Sequence, residues 1–311
     1  TSVPATAALP LGWRAALPYR RLLKGHLQRV CENPSNPQFN HYMFEAIAAL
    51  VRSLCKASPQ AVDAFEGMLF PPFQYVLQRD VSEFTPYVFQ ILAQLLECRS
   101  GLSAAYSSLF PPLLLPTMWE RPANVPALTR LLTAYIAVGK EAVAPQLEKV
   151  LGVFQKLLAS KATDSHACLL LGAIWRSFEL AELASFINPI FTLCLQRLQS
   201  NKKVGASMVR CWSVFVARHG PAAFRAQLES IQPNLFAMLI RGVWADSLNA
   251  VSGGVIARKG AAIATARLLT ECPELVGDQQ TFGVLLQAML LMLLSDQVHT
   301  CHAYTHSCIC S

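Results

Sequence analysis

The chain has 311 residues, of which 53% are hydrophobic and only 14% are charged, and its formal net charge is +7 at pH 7. The positive charge is not concentrated enough to indicate nucleic-acid binding, which we therefore do not expect. The longest apolar run, residues 283–294, contains Gln287 and is far shorter than the roughly 20 residues that cross a bilayer, so membrane insertion is not expected either.

A first helix is predicted from Asn36 onward. Asn36 is a favourable N-cap residue, and Pro37 at the first helical position removes no hydrogen bond that the helix needs. The helix should end near Ala57, because Pro59 disfavours helical geometry at the residue before it. Its apolar residues recur at the spacing of one helical face. They are Phe39, Tyr42, Met43, Ala46, Ile47, Leu50, Val51 and Leu54.

A second helix is predicted over residues 60–78, and Pro71-Pro72 should break or kink it. Asp80 and Glu83 have the spacing of a capping box, which predicts the start of a third helix. One apolar face of this third helix should be buried between structural repeats. The residues of that face are Phe84, Tyr87, Val88, Ile91, Leu92 and Leu95.

The same helical periodicity continues as far as residue 294. The connections between helices are short and contain Pro, Gly, Asn, Asp or Ser. No segment shows sustained alternation of apolar and polar residues, so no strand is predicted. The further predicted helices cover residues 102–117, 125–139, 143–160, 166–183, 187–200, 204–219, 222–242, 255–271 and 280–294.

The sequence also resembles itself at an offset of about 40 residues, since Phe70-Pro71-Pro72 recurs as Phe110-Pro111-Pro112. Such a period in a helical chain indicates stacked helix pairs of the HEAT/armadillo kind. We predict an all-α fold, an α-solenoid of about six or seven antiparallel HEAT helix pairs in a superhelix. It should span 17–294, between a poorly defined segment 1–16 and an unrelated, disordered tail 295–311. A stack of this kind offers a long surface to protein partners rather than a catalytic cleft.

No motif for chemistry is found. Phosphate-binding loops, dinucleotide-binding loops, zinc-protease motifs and nucleophile elbows are all missing from the sequence, so we predict no catalytic residue, no cofactor and no enzyme. The tail is rich in histidine and cysteine, but the spacing fits no common zinc site, so no metal is predicted. These tail residues are His299, Cys301, His302, His306, Cys308 and Cys310. The earlier cysteines are scattered singly and should be reduced, buried thiols.

Several ordered blocks of sequence are more distinctive than their helical periodicity. The longest is Asn33–Ala46, which reads NPSNPQFNHYMFEA. The other blocks are 83–90, 119–121 with 126–128, 151–157, 195–199, 231–233 and 268–273. In order and spacing they resemble the CAS family of importin-β-like karyopherins, which export importin-α. The resemblance covers about residues 17–294.

The resemblance implies a nuclear export receptor without catalytic activity that shuttles between nucleus and cytoplasm. Such receptors bind importin-α only together with Ran-GTP. Compared with the family, this sequence begins in the middle and ends early, so we expect a fragment that binds either partner weakly or not at all. The alternative is a HEAT-repeat scaffold with no transport role. The sequence does not locate partner contacts, and the candidates we name are the basic residues Arg197, Lys202 and Lys203.

Overall fold

Helices form nearly all of the regular structure of this chain. The computed structural model describes Gly25, Leu27, Arg29, Val30 and residues 36–307; it is 83% helical, and none of the described residues forms a strand. The predicted all-α class is therefore confirmed. The α-helices of the region from residue 37 onward are α1 (Pro37–Ala57), α2 (Pro59–Gln78), α3 (Thr85–Glu97), α4 (Ala104–Leu113), α5 (Val125–Val138), α6 (Lys140–Val143), α7 (Leu147–Ala159), α8 (Asp164–Ser177), α9 (Ile187–Ser200), α10 (Gly205–His219), α11 (Pro221–Ile231), α12 (Leu235–Leu239), α13 (Ala245–Leu248), α14 (Gly254–Glu271), α15 (Pro273–Gly277) and α16 (Gln279–Ser307).

Two compact units, Thr1–Val153 and Phe154–Ser311, divide the chain, and the boundary lies within α7. In the first unit α3 packs side by side with α5, which begins 40 residues after it. In the second unit α10 packs against both α8 and α14. Equivalent side chains meet between such helices: Sγ of Cys168 lies 3.7 Å from Sδ of Met208, 40 residues later. Stacked helix pairs with the predicted period produce this packing.

The second unit has an aromatic core. The ring of Phe191 lies 5.4–6.3 Å, between centroids, from the rings of Trp175, Trp212, Phe215 and Phe224. Both tryptophans are fully buried, as expected for packing between helices. The scattered cysteines from Cys55 to Cys272 are free thiols, and all of them except Cys98 are buried.

Helix α1 confirms the predicted cap. Oδ1 of Asn36 accepts a hydrogen bond from the backbone N–H of Phe39 at 3.1 Å, and the helix runs from Pro37 to Ala57. The predicted apolar face is only partly correct. Met43, Ile47 and Val51 are buried, but Phe39 and Tyr42 are 49% and 63% exposed. The buried side is rotated toward a second group of residues, which are Phe44, Ala48 and Cys55.

Helix α3 is buried largely as predicted. Of the six predicted face residues all but Tyr87 are buried, and the tyrosine is half-buried with its hydroxyl 2.8 Å from Nδ1 of His41. The capping box is wrong. Asp80 adopts a left-handed φ of 52°, and its carboxylate binds the guanidinium of Arg121 instead of a backbone N–H at the helix start. Phe84 stands at the N-cap and makes no side-chain cap hydrogen bond.

The two Phe-Pro-Pro segments behave differently. Helix α2 continues through Pro71-Pro72 to Gln78, so these prolines do not break it, and the alternative of a kink stays a prediction. The following residues Phe73 and Val76 are almost fully buried, and such tertiary packing supplies most of a helix's stability in a protein. Helix α4 instead ends at Leu113, just after its own two prolines. The last carbonyl groups of a helix have no partner within the helix. Here the backbone oxygen of Leu113 accepts a hydrogen bond from Nε1 of Trp119 at 2.8 Å.

Other predicted boundaries need correction. The single helix expected over 222–242 is divided into two, because Asn234 has a left-handed φ of 63°. The Glu229 carboxylate stabilises this turn by accepting hydrogen bonds from the N–H groups of Asn234 and Phe236. A π-helical segment, Ile240–Trp244, follows. The helix expected over 166–183 ends at Ser177.

The predicted end of the last helix at Leu294 is also wrong, because its backbone is helical as far as Ser307. The division of the chain into 1–16, 17–294 and 295–311 otherwise stays a prediction. Residues 1–24 and 308–311 lie outside the described residues.

Candidate partner-binding surface

Arg197, one of the three basic candidates, is paired inside the second unit. From the last turn of α9 it donates through Nε and one terminal nitrogen to Oδ2 of Asp164, at 3.0 and 2.8 Å. Only 10% of the Arg197 side chain and 7% of the Asp164 side chain are exposed. Asn201 donates from Nδ2 to the same carboxylate at 2.7 Å. A partner could reach Arg197 only by breaking this buried cluster, so the structure gives it the role of joining α9 to the start of α8.

Lys202 and Lys203, the other two candidates, are exposed on the short 3-10 helix Lys202–Val204. Val204 is only 2% exposed and anchors this turn in the core. Asn201, just before the turn, is held by its bond to Asp164. Two ammonium groups are therefore presented from a well-fixed backbone. Lysine offers a compact, strongly hydrated charge, and such a pair suits an acidic patch on a partner.

Sequence reasoning missed a set of arginine–carboxylate pairs that join successive helix pairs. Three of them link an acid to an arginine 33 positions later. These three are Glu66–Arg99, Glu97–Arg130 and Asp164–Arg197. The constant offset is a signal that the sequence contains. Further pairs are Asp80–Arg121, Glu179–Arg218, Glu274–Arg225 and Asp278–Arg241. Many arginines of this chain therefore serve the fold.

One of these pairs changes the acidity of its carboxyl group strongly. Hydrogen bonds from the Thr281 hydroxyl, and next from the Arg241 guanidinium, lower the pKa of Asp278 from 3.8 to about 2. Thr281 is itself 1% exposed, so the pair lies beside the core at the start of α16. Asp278 therefore stays ionised well into acid solution.

A cleft of about 580 Å³ opens in the first unit between α2 and α4. Helices α3 and α5 pack closely, whereas α2 and α4 lie further apart and meet through the rings of Phe70 and Tyr106, 5.0 Å between centroids. The walls are largely apolar, and their polar residues include the exposed Asp80–Arg121 pair, Glu120 and Asn124. The apolar wall residues include Phe70, Phe73, Phe89, Leu109 and Met118. We refer to this feature as the apolar cleft.

No helix within the described part of the chain combines the length and the apolar character that a membrane crossing requires. Among side chains that the structure describes, no group of three or more His, Cys, Asp or Glu is placed to hold a metal ion. The tail run from His299 to Cys310 lies outside the residues with described side chains, so its lack of a metal stays a prediction.

Comparisons with known proteins agree with the resemblance seen in the sequence. The family model described as CAS/CSE protein, C-terminus, matches residues 18–306. Exportin-2 of Oreochromis niloticus is 41% identical over 289 residues, which are 88% of this chain and 30% of that protein. Exportin-2 of Homo sapiens is 40% identical over 275 residues, which are 85% of this chain and 28% of that protein. The chain thus spans about 30% of the length of the curated relatives it matches.

A solved structure also matches. It shows the exportin Cse1 in its cargo-free, cytoplasmic state, with a TM-score of 0.77 and 28% identity, covering 88% of this chain and 30% of that one. The shared fold is that of a helical-repeat exportin. The family match reaches residue 306, so the domain boundary predicted at residue 294 lies inside the matched region.

Proposed function

The chain belongs to the CAS/CSE protein family, and we propose that it forms part of a nuclear export receptor that binds importin-α together with Ran-GTP and returns importin-α to the cytoplasm. The observation that supports this most directly is the identity of about 40% with exportin-2 over 85–89% of the chain. Members of this family are transport receptors and not enzymes. The receptor would shuttle between nucleus and cytoplasm.

The two partners should support each other's binding. If Ran-GTP raises the affinity for importin-α, linkage requires that importin-α raises the affinity for Ran-GTP by the same factor. A helical-repeat receptor contacts its partners over many repeats, and the avidity of joined contacts is lost when only some of them are offered. We therefore propose that this chain alone binds either partner weakly, with no sub-micromolar affinity. Within the chain, Lys202 and Lys203 are the proposed contacts for an acidic partner surface.

A chimera tests the proposal. The matched region of human exportin-2 is replaced by the matched region of this chain, and importin-α is pulled down with and without GTP-locked Ran. We expect capture of importin-α only when Ran-GTP is present. A chimera that folds, as judged by circular dichroism and thermal melting, but captures importin-α in neither condition would contradict the export role and favour a HEAT-repeat scaffold with no transport role.

The lysine turn can be tested in the same chimera. A Lys202→Glu/Lys203→Glu variant should weaken capture, and most strongly at low salt, because exposed charges are screened as ionic strength rises. The matched control is Lys149→Glu/Lys161→Glu, which makes the same change of charge at two other exposed lysines. Equal losses of importin-α capture in both variants would show that the effect comes from net charge alone. Lys202 and Lys203 would then no longer be candidate contacts.

A further inference from the structure

We propose that Cys55 and Cys98 are the site of a reversible disulfide bond, formed by reaction with a hydroperoxide, which joins the end of α1 to the end of α3. Both thiols are free in the structure, and they differ in exposure, since Cys55 is buried and Cys98 is exposed. Both residues lie within the first unit. The bond would form whether or not the chain binds importin-α or Ran-GTP.

Helices α1 and α3 pack side by side in the same direction. Near their starts the ring of Phe44 stacks on the ring of Tyr87, with 5.1 Å between centroids and 10° between the ring planes. Nδ1 of His41 also lies 2.8 Å from the Tyr87 hydroxyl. Beyond the end of α3, Arg99 donates to the Glu66 carboxylate of α2 at 2.8 Å. Because α2 begins directly after α1, this contact brings the ends of α1 and α3 together as well.

The same register places the two cysteines opposite each other. Cys55 comes 11 residues after Phe44, and Cys98 comes 11 residues after Tyr87. Eleven residues make about three turns of an α-helix, so each cysteine lies on the same face of its helix as the stacked ring. The residues between them on these two faces are all buried, and they are Ala48, Val51, Ile91 and Gln94. The face of α1 that ends at Cys55 therefore meets the face of α3 that ends at Cys98.

The spacing of packed helices suits a disulfide at this position. Packed helix axes lie about 8–10 Å apart and Cα atoms about 2.3 Å from each axis, so facing Cα atoms come within roughly 4–6 Å. A disulfide needs a Cα–Cα distance of about 4.4–6.8 Å. Cys98 stands at the C-cap of α3, where the regular helix ends and the backbone can adjust. Burial, and next the charge of Cys98, raise the pKa of Cys55 to about 12, which agrees with two neighbouring sulfur atoms.

The two thiols differ as an oxidation in two steps requires. Cys98 is exposed and meets hydrogen peroxide in solution, whereas Cys55 is only 6% exposed. The Cys98 thiolate attacks one peroxide oxygen, which gives a sulfenic acid and releases hydroxide. The Cys55 thiolate then attacks the sulfenic sulfur, so that the S–S bond forms and a second hydroxide leaves. The two protons lost by the thiols convert both hydroxides to water, and two electrons pass from the sulfur atoms to the peroxide.

The surroundings of Cys98 make its oxidation depend on pH. Partial burial, and next the Glu97 carboxylate, raise the pKa of this thiol, while the cations Lys56 and Arg130 lower it by less. The thiolate is the nucleophile, and it is a small fraction of Cys98 at neutral pH. The rate of oxidation should therefore increase about tenfold from pH 7 to pH 8. A rate that does not change over this range would contradict attack by the Cys98 thiolate.

Peptide mapping of the full chain tests the bond itself. The folded protein is treated with hydrogen peroxide at pH 8, the remaining thiols are alkylated, and trypsin cleaves after arginine and lysine. Cys55 and Cys98 then fall in separate peptides, 53–56 and 80–99. We expect these peptides to be joined, with the loss of two hydrogen atoms, and to be separated again by dithiothreitol. A Cys98 that ends as sulfinic acid while Cys55 is alkylated would overturn the proposal.

A variant that moves one thiol tests the register. Ser53→Cys/Cys55→Ser keeps the number of cysteines but places the thiol at an exposed position of α1, about 160° around the helix from position 55. The joined peptides should form in the unaltered chain and be absent from this variant, whose fold is checked by circular dichroism. Equal yields from both chains would show that the thiols meet without the proposed register, and the assignment would be wrong.

The bond should also stabilise the first unit. It would close a loop of 43 residues between α1 and α3, and such a cross-link restricts the unfolded chain. The oxidised chain should therefore melt roughly 5–10 °C above the reduced chain. Oxidised Ser53→Cys/Cys55→Ser should show no such increase. A melting temperature that stays the same or falls once the bond has formed would mean that the fold does not accommodate it, contrary to the proposal.

Discussion

Each unit of the molecule contains an arginine that joins two helix pairs through a carboxylate, and the two bridges differ mainly in burial. In the second unit the Arg197 and Asp164 side chains are 10% and 7% exposed. In the first unit the Arg121 and Asp80 side chains are 49% and 64% exposed, although the two terminal nitrogens of Arg121 pair with separate oxygens of Asp80. Water screens the exposed pair, whereas a buried charge that loses its partner stays uncompensated.

The comparison shows which charged residues are available for binding. Asp80 and Arg121 can exchange their mutual contact for water or for a ligand at little cost. Arg197 cannot, because Asp164 and its other donor Asn201 would remain buried around a missing charge. The same chemistry thus stabilises the fold at Arg197 and only flanks an open cleft at Arg121.

The largest expected effect comes from breaking the buried bridge. Arg197→Ala should lower the free energy of unfolding by about 3–5 kcal/mol, since it leaves the Asp164 carboxylate unpaired in the interior. Urea melts followed by tryptophan fluorescence are suited to this unit, because Trp175 and Trp212 are fully buried within it. The double variant Asp164→Leu/Arg197→Met should recover most of the loss, because apolar residues can replace a buried pair. A loss below about 1 kcal/mol for Arg197→Ala would remove the distinction between the bridges.

In the first unit, apolar packing should contribute more to stability than the exposed Asp80–Arg121 bridge. Leu92 of α3 is 1% exposed, and Leu92→Ala should lower the free energy of unfolding by about 2–5 kcal/mol through lost burial and the cavity left behind. Urea melts followed by circular dichroism provide the measurement. A loss under roughly 0.5 kcal/mol would mean that the side chain is not part of a tightly packed core.

The features that were predictable from sequence are local ones. The Asn36 cap and the bounds of α1 follow from neighbours a few residues away, and so does the burial of most of the Leu92 face of α3. The residues at Asp80 and Glu83 have the spacing of a capping box, but the predicted box does not form. The Asp80 carboxylate instead binds Arg121, 41 residues away. No local pattern contains that competition.

The same limit applies to the candidate sites. Arg197 looked like an available surface charge, and only the packing of α9 on α8 reveals that Asp164 occupies it. Lys202 and Lys203 are exposed, and their role as partner contacts stays a prediction. The apolar cleft could not be predicted at all, because its walls come from residues of several helices that are brought together only by the tertiary packing.

The Arg241–Asp278 bridge is intermediate in exposure between the Arg197–Asp164 and Arg121–Asp80 bridges. Its main measurable effect should be on the pKa of Asp278. Arg241 and Asp278 are 47% and 32% exposed. NMR titration should give a pKa of about 2 for Asp278. The lowered pKa means that the pairing stabilises the fold fully above pH 3.8 and loses this contribution as pH falls toward about 2. Thr281→Val and Arg241→Gln should each raise this pKa, because the Thr281 hydroxyl and the Arg241 guanidinium both donate hydrogen bonds to the Asp278 carboxylate. A pKa that neither variant raises would contradict the assigned contacts.

The smallest effect on stability is expected at the exposed bridge itself. The hydrogen bond from Arg121 lowers the pKa of Asp80, so Arg121→Gln should let that pKa rise toward its ordinary value. Its contribution to folding, present at neutral pH and lost as pH falls through the lowered pKa, is screened by solvent. The urea melt of Arg121→Gln should therefore overlay that of the unaltered chain, while carboxyl NMR detects the change at Asp80. A melt displaced as far as that of Arg197→Ala would show that exposure does not govern these bridges, and the comparison between the two units would fail.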